Sequence, residues 1–177
     1  MKFTETTFNG LYVIEPELIK DVRGTFTRTF CKKEFESINF NKDFVQVNRS
    51  FNYKKGTLRG MHYQAPPHAE TKLIGCLAGA VFDVAVDLRK DSKTHLKWFG
   101  IELSGKNMKM LFIPEGFAHG YVTLEDNTEL IYHHTEYFDP LCEKRIHYKD
   151  PSISINWPVP IDIISDKDNN TPFLKSI

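Results

Sequence analysis

The chain has 177 residues, of which 41% are hydrophobic and 26% charged, which suits one globular domain over residues 1–177 and argues against disorder. Lys plus Arg and Asp plus Glu both number 23, so no global field draws the chain to nucleic acid or an anionic membrane, and any anion site has to be a local cluster. No apolar run approaches the about 18 residues of a membrane span, the N-terminus lacks a signal-peptide pattern, and the scattered Cys31, Cys76 and Cys142 suit a reducing cytoplasm rather than a disulfide framework.

In chain order, Gly10 to Ile14 and Gly24 to Phe30 read as short strands, the second alternating Phe26 and Phe30 with polar neighbours. Lys32 to Ile38 is the one good short helix, and it looks peripheral. From Thr57 strands follow closely: Thr57 to Gln64, Lys72 to Gly79, Ala80 to Arg89, Leu96 to Leu103, Met108 to Pro114, His119 to Glu125 and Thr128 to Phe138. Gly79 and Gly105 mark turns. Many short strands bounded by turn residues, with no internal repeat, predict an all-β sandwich or barrel with short peripheral helices. In Ala80 to Arg89, Phe82, Val84, Val86 and Leu88 share one face, expected dry, and Val81, Asp83, Ala85 and Asp87 the other, which carries carboxylates. After Pro140 the pattern weakens, and the Pro- and Asp-rich tail predicts an extended wrap with one or two strands.

Proton-handling side chains crowd between Arg59 and Lys72, including His62, His68 and Glu70. An imidazole takes a proton near neutrality and an ammonium stabilises an oxyanion, a pairing suited to carbanion chemistry. The Pro66-Pro67 turn places His62 near a rim, where loops carry function. Strict alternation puts Arg59 and His62 on opposite strand faces, so a bulge at Gly60 is needed to bring both into one site. Ile113 to Tyr121 contains Pro114, Gly116 and His119 in the PxGxxH spacing of the second cupin-barrel motif. The HxH metal pair common in cupins is absent, since His62, Tyr63 and Gln64 stand in its place. His68, Glu70 and His119 are left as weaker ligand candidates. Tyr132 shares a strand face with Leu130, His134 and Glu136, and its phenol could return a proton to a carbanion if a nearby cation lowered its pKa.

Together DVRGTF (Asp21 to Phe26), QVNRS (Gln46 to Ser50), GTLRGMHYQ (Gly56 to Gln64), Lys72, FDVAVDLRKDS (Phe82 to Ser92), IPEGFAHG (Ile113 to Gly120), the Tyr132 strand and SDKD (Ser165 to Asp168) resemble the dTDP-4-dehydrorhamnose 3,5-epimerases across nearly the whole chain. The resemblance implies a cupin-type jelly roll, a homodimer, and epimerisation of a nucleotide-linked 4-keto sugar without metal or redox cofactor. It makes His62 the general base, Asp168 its carboxylate partner, Tyr132 the acid on the opposite sugar face and Lys72 the enolate partner. It assigns Arg23, Phe26, Gln46, Asn48, Arg59, His119, Glu143 and Lys167 to substrate contacts, and Phe138 to stacking on the base.

One position departs: Arg28 stands where the family carries a glutamate that accepts from the thymine ring. An arginine fork suits acceptors such as those of guanine, which keeps a GDP-linked sugar, including a heptose, in view. Equally, Arg28 faces solvent and stacking holds the base. The family's chemistry inverts C3 alone or both C3 and C5. The competing readings are a cupin ketoisomerase, a non-catalytic sugar-nucleotide binder and a metal-dependent cupin oxygenase.

Overall fold

The computed structural model describes residues 1–174. Two antiparallel sheets face each other. The six-stranded sheet runs, in spatial order, β1 (Lys2–Glu5), β2 (Tyr12–Glu15), β10 (Met110–Ile113), β7 (Lys72–Ala78), β12 (Thr128–His134) and β5 (Gln46–Asn52). The five-stranded sheet runs β13 (Glu143–Arg145), β6 (Leu58–Gln64), β11 (Phe117–Thr123), β8 (Ala80–Asp87) and β9 (Trp98–Ser104). A separate hairpin pairs β3 (Leu18–Asp21) with β4 (Gly24–Thr27). All strand pairs within the sheets are antiparallel, and the chain alternates between the sheets from β5 to β8 and from β9 to β13, which is the jelly-roll arrangement.

The inner faces meet in a core that includes Leu11, Ile74, Val81, Ala85, Leu103, Leu111 and Leu130, all at most 1% exposed. Fully burying each such side chain stabilises the fold by about 1.5–3 kcal/mol before the entropy of ordering is counted. Gly79 makes the β7–β8 turn at φ +69°, and a Cβ there would lie 2.3 Å from the Thr128 hydroxyl, so the position admits only glycine.

Four expectations change. Strand β8 is buried on both faces: Val81, Asp83, Ala85 and Asp87 point into the barrel, while Val84 and Val86 lie under Met61, Ile153 and Trp157. The carboxylate face is therefore interior, because the tail supplies a second apolar layer outside. The strand expected over Gly24 to Phe30 ends at Thr27, and Phe30 instead packs on Phe35 and Phe44. The helix expected over Lys32 to Ile38 divides into α1 (Lys32–Phe35) and a 3-10 turn (Glu36–Ile38), and it is less peripheral than expected, because Phe35 is fully buried against Ile14, Leu73 and Phe112. The tail wraps the barrel with a single bridge, Thr57 to Ile163, and then forms the one-turn α2 (Asp166–Asn169), where one or two strands were expected. The Ser165 hydroxyl caps that turn by accepting from the Asp168 N–H at 3.2 Å.

Candidate active site

A cavity of about 670 Å³ opens between the two sheets at the end where the tail crosses, within the range of small-molecule sites. The five-stranded sheet supplies Arg59 and His62 from β6, His119 and Tyr121 from β11, and Arg145 from β13. The six-stranded sheet supplies Asn48 and Ser50 from β5, Lys72 from β7, and Tyr132 and His134 from β12. Lys167 and Asp168 close one side. A recess of about 150 Å³ adjoins it through Asn48, His62, Lys72 and His134 and continues to Gln46, Phe138 and Glu143.

The bulge required at Gly60 is present. His119 lies opposite His62 and Tyr121 opposite Arg59, so Gly120 alone on β11 faces both Gly60 and Met61 on β6. Gly60 sits at φ +127°, and a Cβ there would come within 2.5 Å of the Gly120 Cα. Only a glycine lets the two strands approach this closely while Arg59 and His62 turn into the same cavity.

His62 Nε2 lies 2.6 Å from Asp168 Oδ1, which fixes that nitrogen as the protonated one and leaves Nδ1 without a hydrogen-bond partner among the described residues. Burial pushes the Asp168 carboxyl up, but the His62 contact, the Ser165 hydroxyl and the Gly60 N–H at 3.4 Å outweigh it and hold the group below its ordinary value. Arg145 reaches in from β13, donates to Asp168, and lies 2.9 Å from His62 Nε2. Its second nitrogen donates to Glu143 at 2.8 Å.

On the facing sheet the Tyr132 hydroxyl sits 2.9 Å from Ser50, which is 3.1 Å from Tyr121, which in turn donates to Asn52 at 3.3 Å. Arg59 Nε donates to the same Asn52 oxygen at 2.9 Å. Burial, and then the neighbouring Tyr121, raise the Tyr132 pKa well above 10. This is opposite to the lowering that a nearby cation would cause, so the phenol stays protonated at neutral pH and is a proton donor as it stands. Lys72 is 3.1 Å from Glu70, whose other oxygen accepts from His134 Nδ1 at 2.6 Å. Burial raises the Glu70 carboxyl, but His134 and Lys72 outweigh it and keep the carboxylate ionised. His119 Nε2 is held by the buried Asp83 at 2.9 Å.

Of the sequence candidates, His62, Tyr132, Lys72, Asp168, Asn48, Arg59, His119 and Lys167 line the main cavity, and Gln46, Phe138 and Glu143 line its recess. Arg23, Phe26 and Arg28 do not. Arg23 and Phe26 lie on the β3–β4 hairpin, where Arg23 chelates Asp21 and Phe26 is 68% exposed. Arg28 pairs with Glu34 at 2.9 Å on an exposed surface outside this chain's own cavity. Arg145, Ser50, Tyr121, His134 and Asp83 were not singled out for roles. Arg145 sits on a three-residue strand with no periodic signal. Asp83 could have been found from the inward alternation of β8 opposite His119. Among the described residues, no three His, Cys, Asp or Glu donors converge in this cavity, so the residues present do not fit a cupin metal centre.

The profile of the dTDP-4-dehydrorhamnose 3,5-epimerase family matches residues 5–176. The chain is 44% identical over 171 residues to a Shigella flexneri dTDP-4-dehydrorhamnose 3,5-epimerase, covering 96% of this chain and 94% of that protein. Among solved structures, the Bacillus anthracis dTDP-4-dehydrorhamnose 3,5-epimerase with TDP and PPi bound is 43% identical at a TM-score of 0.94, covering 98% of this chain and 99% of that one. A Legionella pneumophila dTDP-6-deoxy-D-glucose-3,5-epimerase in complex with dTDP-4-keto-L-rhamnose is 40% identical at a TM-score of 0.92, covering 97% and 92%. A cavity carrying His62 and Tyr132 on opposite walls, inside a jelly roll that aligns end to end with these enzymes, leaves no gap between site and family: the chain belongs to the dTDP-4-dehydrorhamnose 3,5-epimerase family and is an isomerase, a carbohydrate epimerase.

Proposed function

We propose that the chain inverts C3 and C5 of a dTDP-linked 4-keto-6-deoxyhexose, with His62 as base and Tyr132 as acid. The observation that carries the reading is their placement on opposite sheets across one cavity, His62 held by Asp168 and Tyr132 held protonated by burial. The C4 ketone acidifies the C–H bonds at C3 and C5. His62 Nδ1 takes one of these protons, the C–H pair moves into the ring, and the carbonyl pair moves onto the C4 oxygen as an enolate. Lys72, kept beside ionised Glu70, offers the ammonium that stabilises this oxyanion. The enolate collapses, C4=O reforms, and the Tyr132 hydroxyl delivers a proton to the opposite face, which inverts the centre. Solvent then returns the phenolate and imidazolium to their starting states. Arg59 and Lys167 suit the diphosphate, and Phe138 suits the base.

The active form is a homodimer in this reading. Ile19, Val22 and Phe26 on the hairpin are 60%, 105% and 68% exposed, and Val47, Phe51 and Leu77 lie bare on the outer face of the six-stranded sheet. A second copy would cover that apolar surface, and its hairpin would carry another Arg23 and Phe26 toward this cavity. The three free cysteines suit the cytoplasm. Among the described residues no helix is long and apolar enough to cross a membrane.

The test is incubation in deuterated water with dTDP- and GDP-linked 4-keto-6-deoxy sugars, locating deuterium by NMR. Deuterium at C3 and C5 of the dTDP sugar, lost in His62→Ala, is the expected result. Exchange retained in His62→Ala removes that residue from the base role, and exchange at C3 alone makes the chain a C3 epimerase.

A further inference from the structure

Outside the catalytic cavity, three unlike donors meet where the loop after β6 passes the β12–β13 connection. The His68, Asp139 and Cys142 ligand atoms all lie within 4.8 Å of one another, and each side chain is half-buried. We propose that these three residues bind one divalent cation of the zinc type, which pins the two loops beside the recess that holds Phe138.

The local geometry favours a cation over a simple ion pair. Asp139 Oδ1 already accepts from the Leu141 N–H at 2.8 Å, which turns Oδ2 toward His68 Nε2 at 3.5 Å. With metal bonds of about 2.0–2.1 Å, two ligands of a tetrahedral zinc stand about 3.3 Å apart, so this pair needs almost no movement. The second imidazole nitrogen, Nδ1, faces Glu136 at 3.9 Å. At 3.9 Å this is a charge contact rather than a hydrogen bond, and closing it on metal binding would let the carboxylate orient His68 and direct Nε2 to the metal. Cys142 joins from the same turn as Asp139, because its N–H donates to the Asp139 carbonyl at 3.1 Å.

The backbone around the donors is already fixed. Buried Gln64 donates to the His68 and Tyr137 carbonyls at 3.0 and 3.2 Å and accepts from the Asp139 N–H at 2.7 Å. The Ala65 N–H donates to the Cys142 carbonyl at 2.9 Å, which closes the pair of loops. On binding, the Cys142 thiol releases its proton to solvent and becomes a thiolate ligand. Nitrogen, oxygen and sulfur together suit zinc or cobalt rather than magnesium or calcium. A water completes the fourth position. The cation touches none of the catalytic groups, so it acts on loop rigidity and leaves the proton transfers to protein side chains.

The experiment titrates Co²⁺ alone into chelator-treated, reduced full-length protein and follows thiolate-to-cobalt charge transfer. One equivalent per chain is expected, with the band lost in Cys142→Ser, affinity reduced at least tenfold in His68→Gln, and both retained in Cys31→Ser. Zn²⁺ at a hundredfold excess over its Kd should raise Tm by roughly 5–10 °C in the parent and not in Cys142→Ser. Should Cys142→Ser fail to fold by circular dichroism, Asp139→Asn replaces it, with the same loss of affinity expected. Absence of the charge-transfer band, or binding unchanged in these variants, overturns the proposal whatever the outcome of the epimerase assay.

Discussion

Replacing Asp168 with Asn tests how the base is held, and the structure distinguishes two sizes of effect. If the new amide turned its NH2 toward His62 Nε2, the imidazole would carry its proton on Nδ1 and could not accept another; the same error in a serine-protease triad costs about 10⁴-fold. The surroundings oppose that orientation. Oδ1 of Asp168 faces two donors, His62 Nε2 and Arg145, whereas Oδ2 faces the Gly60 N–H at 3.4 Å. An amide keeps its oxygen at the first position and gives up only the long contact. The tautomer survives, and what is lost is the charge assistance of the His62 bond, about 1–2 kcal/mol when the proton arrives. That difference predicts a 5–30-fold fall in kcat, with KM nearly unchanged because Asp168 is 95% buried beneath the cavity wall. Asp168→Ala removes orientation as well and should fall at least a further tenfold. The assay is the initial rate of deuterium incorporation by NMR, with Tm as the folding control. A loss of 10³-fold or more in the Asn variant would show that the tautomer is not protected by Arg145, and a loss under twofold would uncouple Asp168 from the base.

Tyr132→Phe leaves Ser50 still bonded to Tyr121, so the stability cost should be about 0.5–1.5 kcal/mol while net inversion falls 10²–10⁴-fold. Exchange on the His62 face should outlast product formation; a parallel loss of both would deny Tyr132 its separate role as acid. Asp87 is fully buried and held by Arg89, Ser92 and Thr94, which outweigh burial and place its carboxyl far below the ordinary range. As pH falls below about 4 the unfolded chain takes up this proton first, so the stabilisation present above that pH is lost progressively in acid. Asp87→Asn should lower stability at neutral pH by about 3 kcal/mol and flatten the acid limb of Tm against pH, and limbs of equal slope would refute the assignment.

The sequence made the chemistry more legible than the architecture. His62, Gly60 and His119 carry their signals in short local strings, and a single odd spacing, Arg59 to His62, was enough to require the bulge that the β6–β11 register displays. The strands missed are β1, β3, β5 and β13; the first three mix charge and apolar residues on exposed faces, as in Gln46 to Asn52, where alternation is blurred, and β13 has only three residues. The pairing of β5 is set by a partner far along the chain, β12, which no window of a dozen residues contains, whereas β1 and β3 pair with the next strand in sequence. The same limit explains Arg145, which acts only because a three-residue edge strand brings it opposite His62.

Arg23, Phe26 and Arg28 show where legibility depends on the unit of structure. Their motif is plain in the sequence, yet the folded chain holds them on a hairpin outside its own cavity, with Val22 wholly exposed between strands that pair only with each other. A hairpin of this kind gains little from its own chain: an isolated two-stranded ribbon is marginally stable in water, and its apolar side chains lose nothing by meeting another surface. The outer face of the six-stranded sheet presents Val47, Phe51 and Leu77 in the same condition. Two bare surfaces on one chain, one projecting and one flat, are what a symmetric pair would bury, each copy lending the other its hairpin. Arg28 stands at the base of that hairpin, where Glu34 engages its guanidinium.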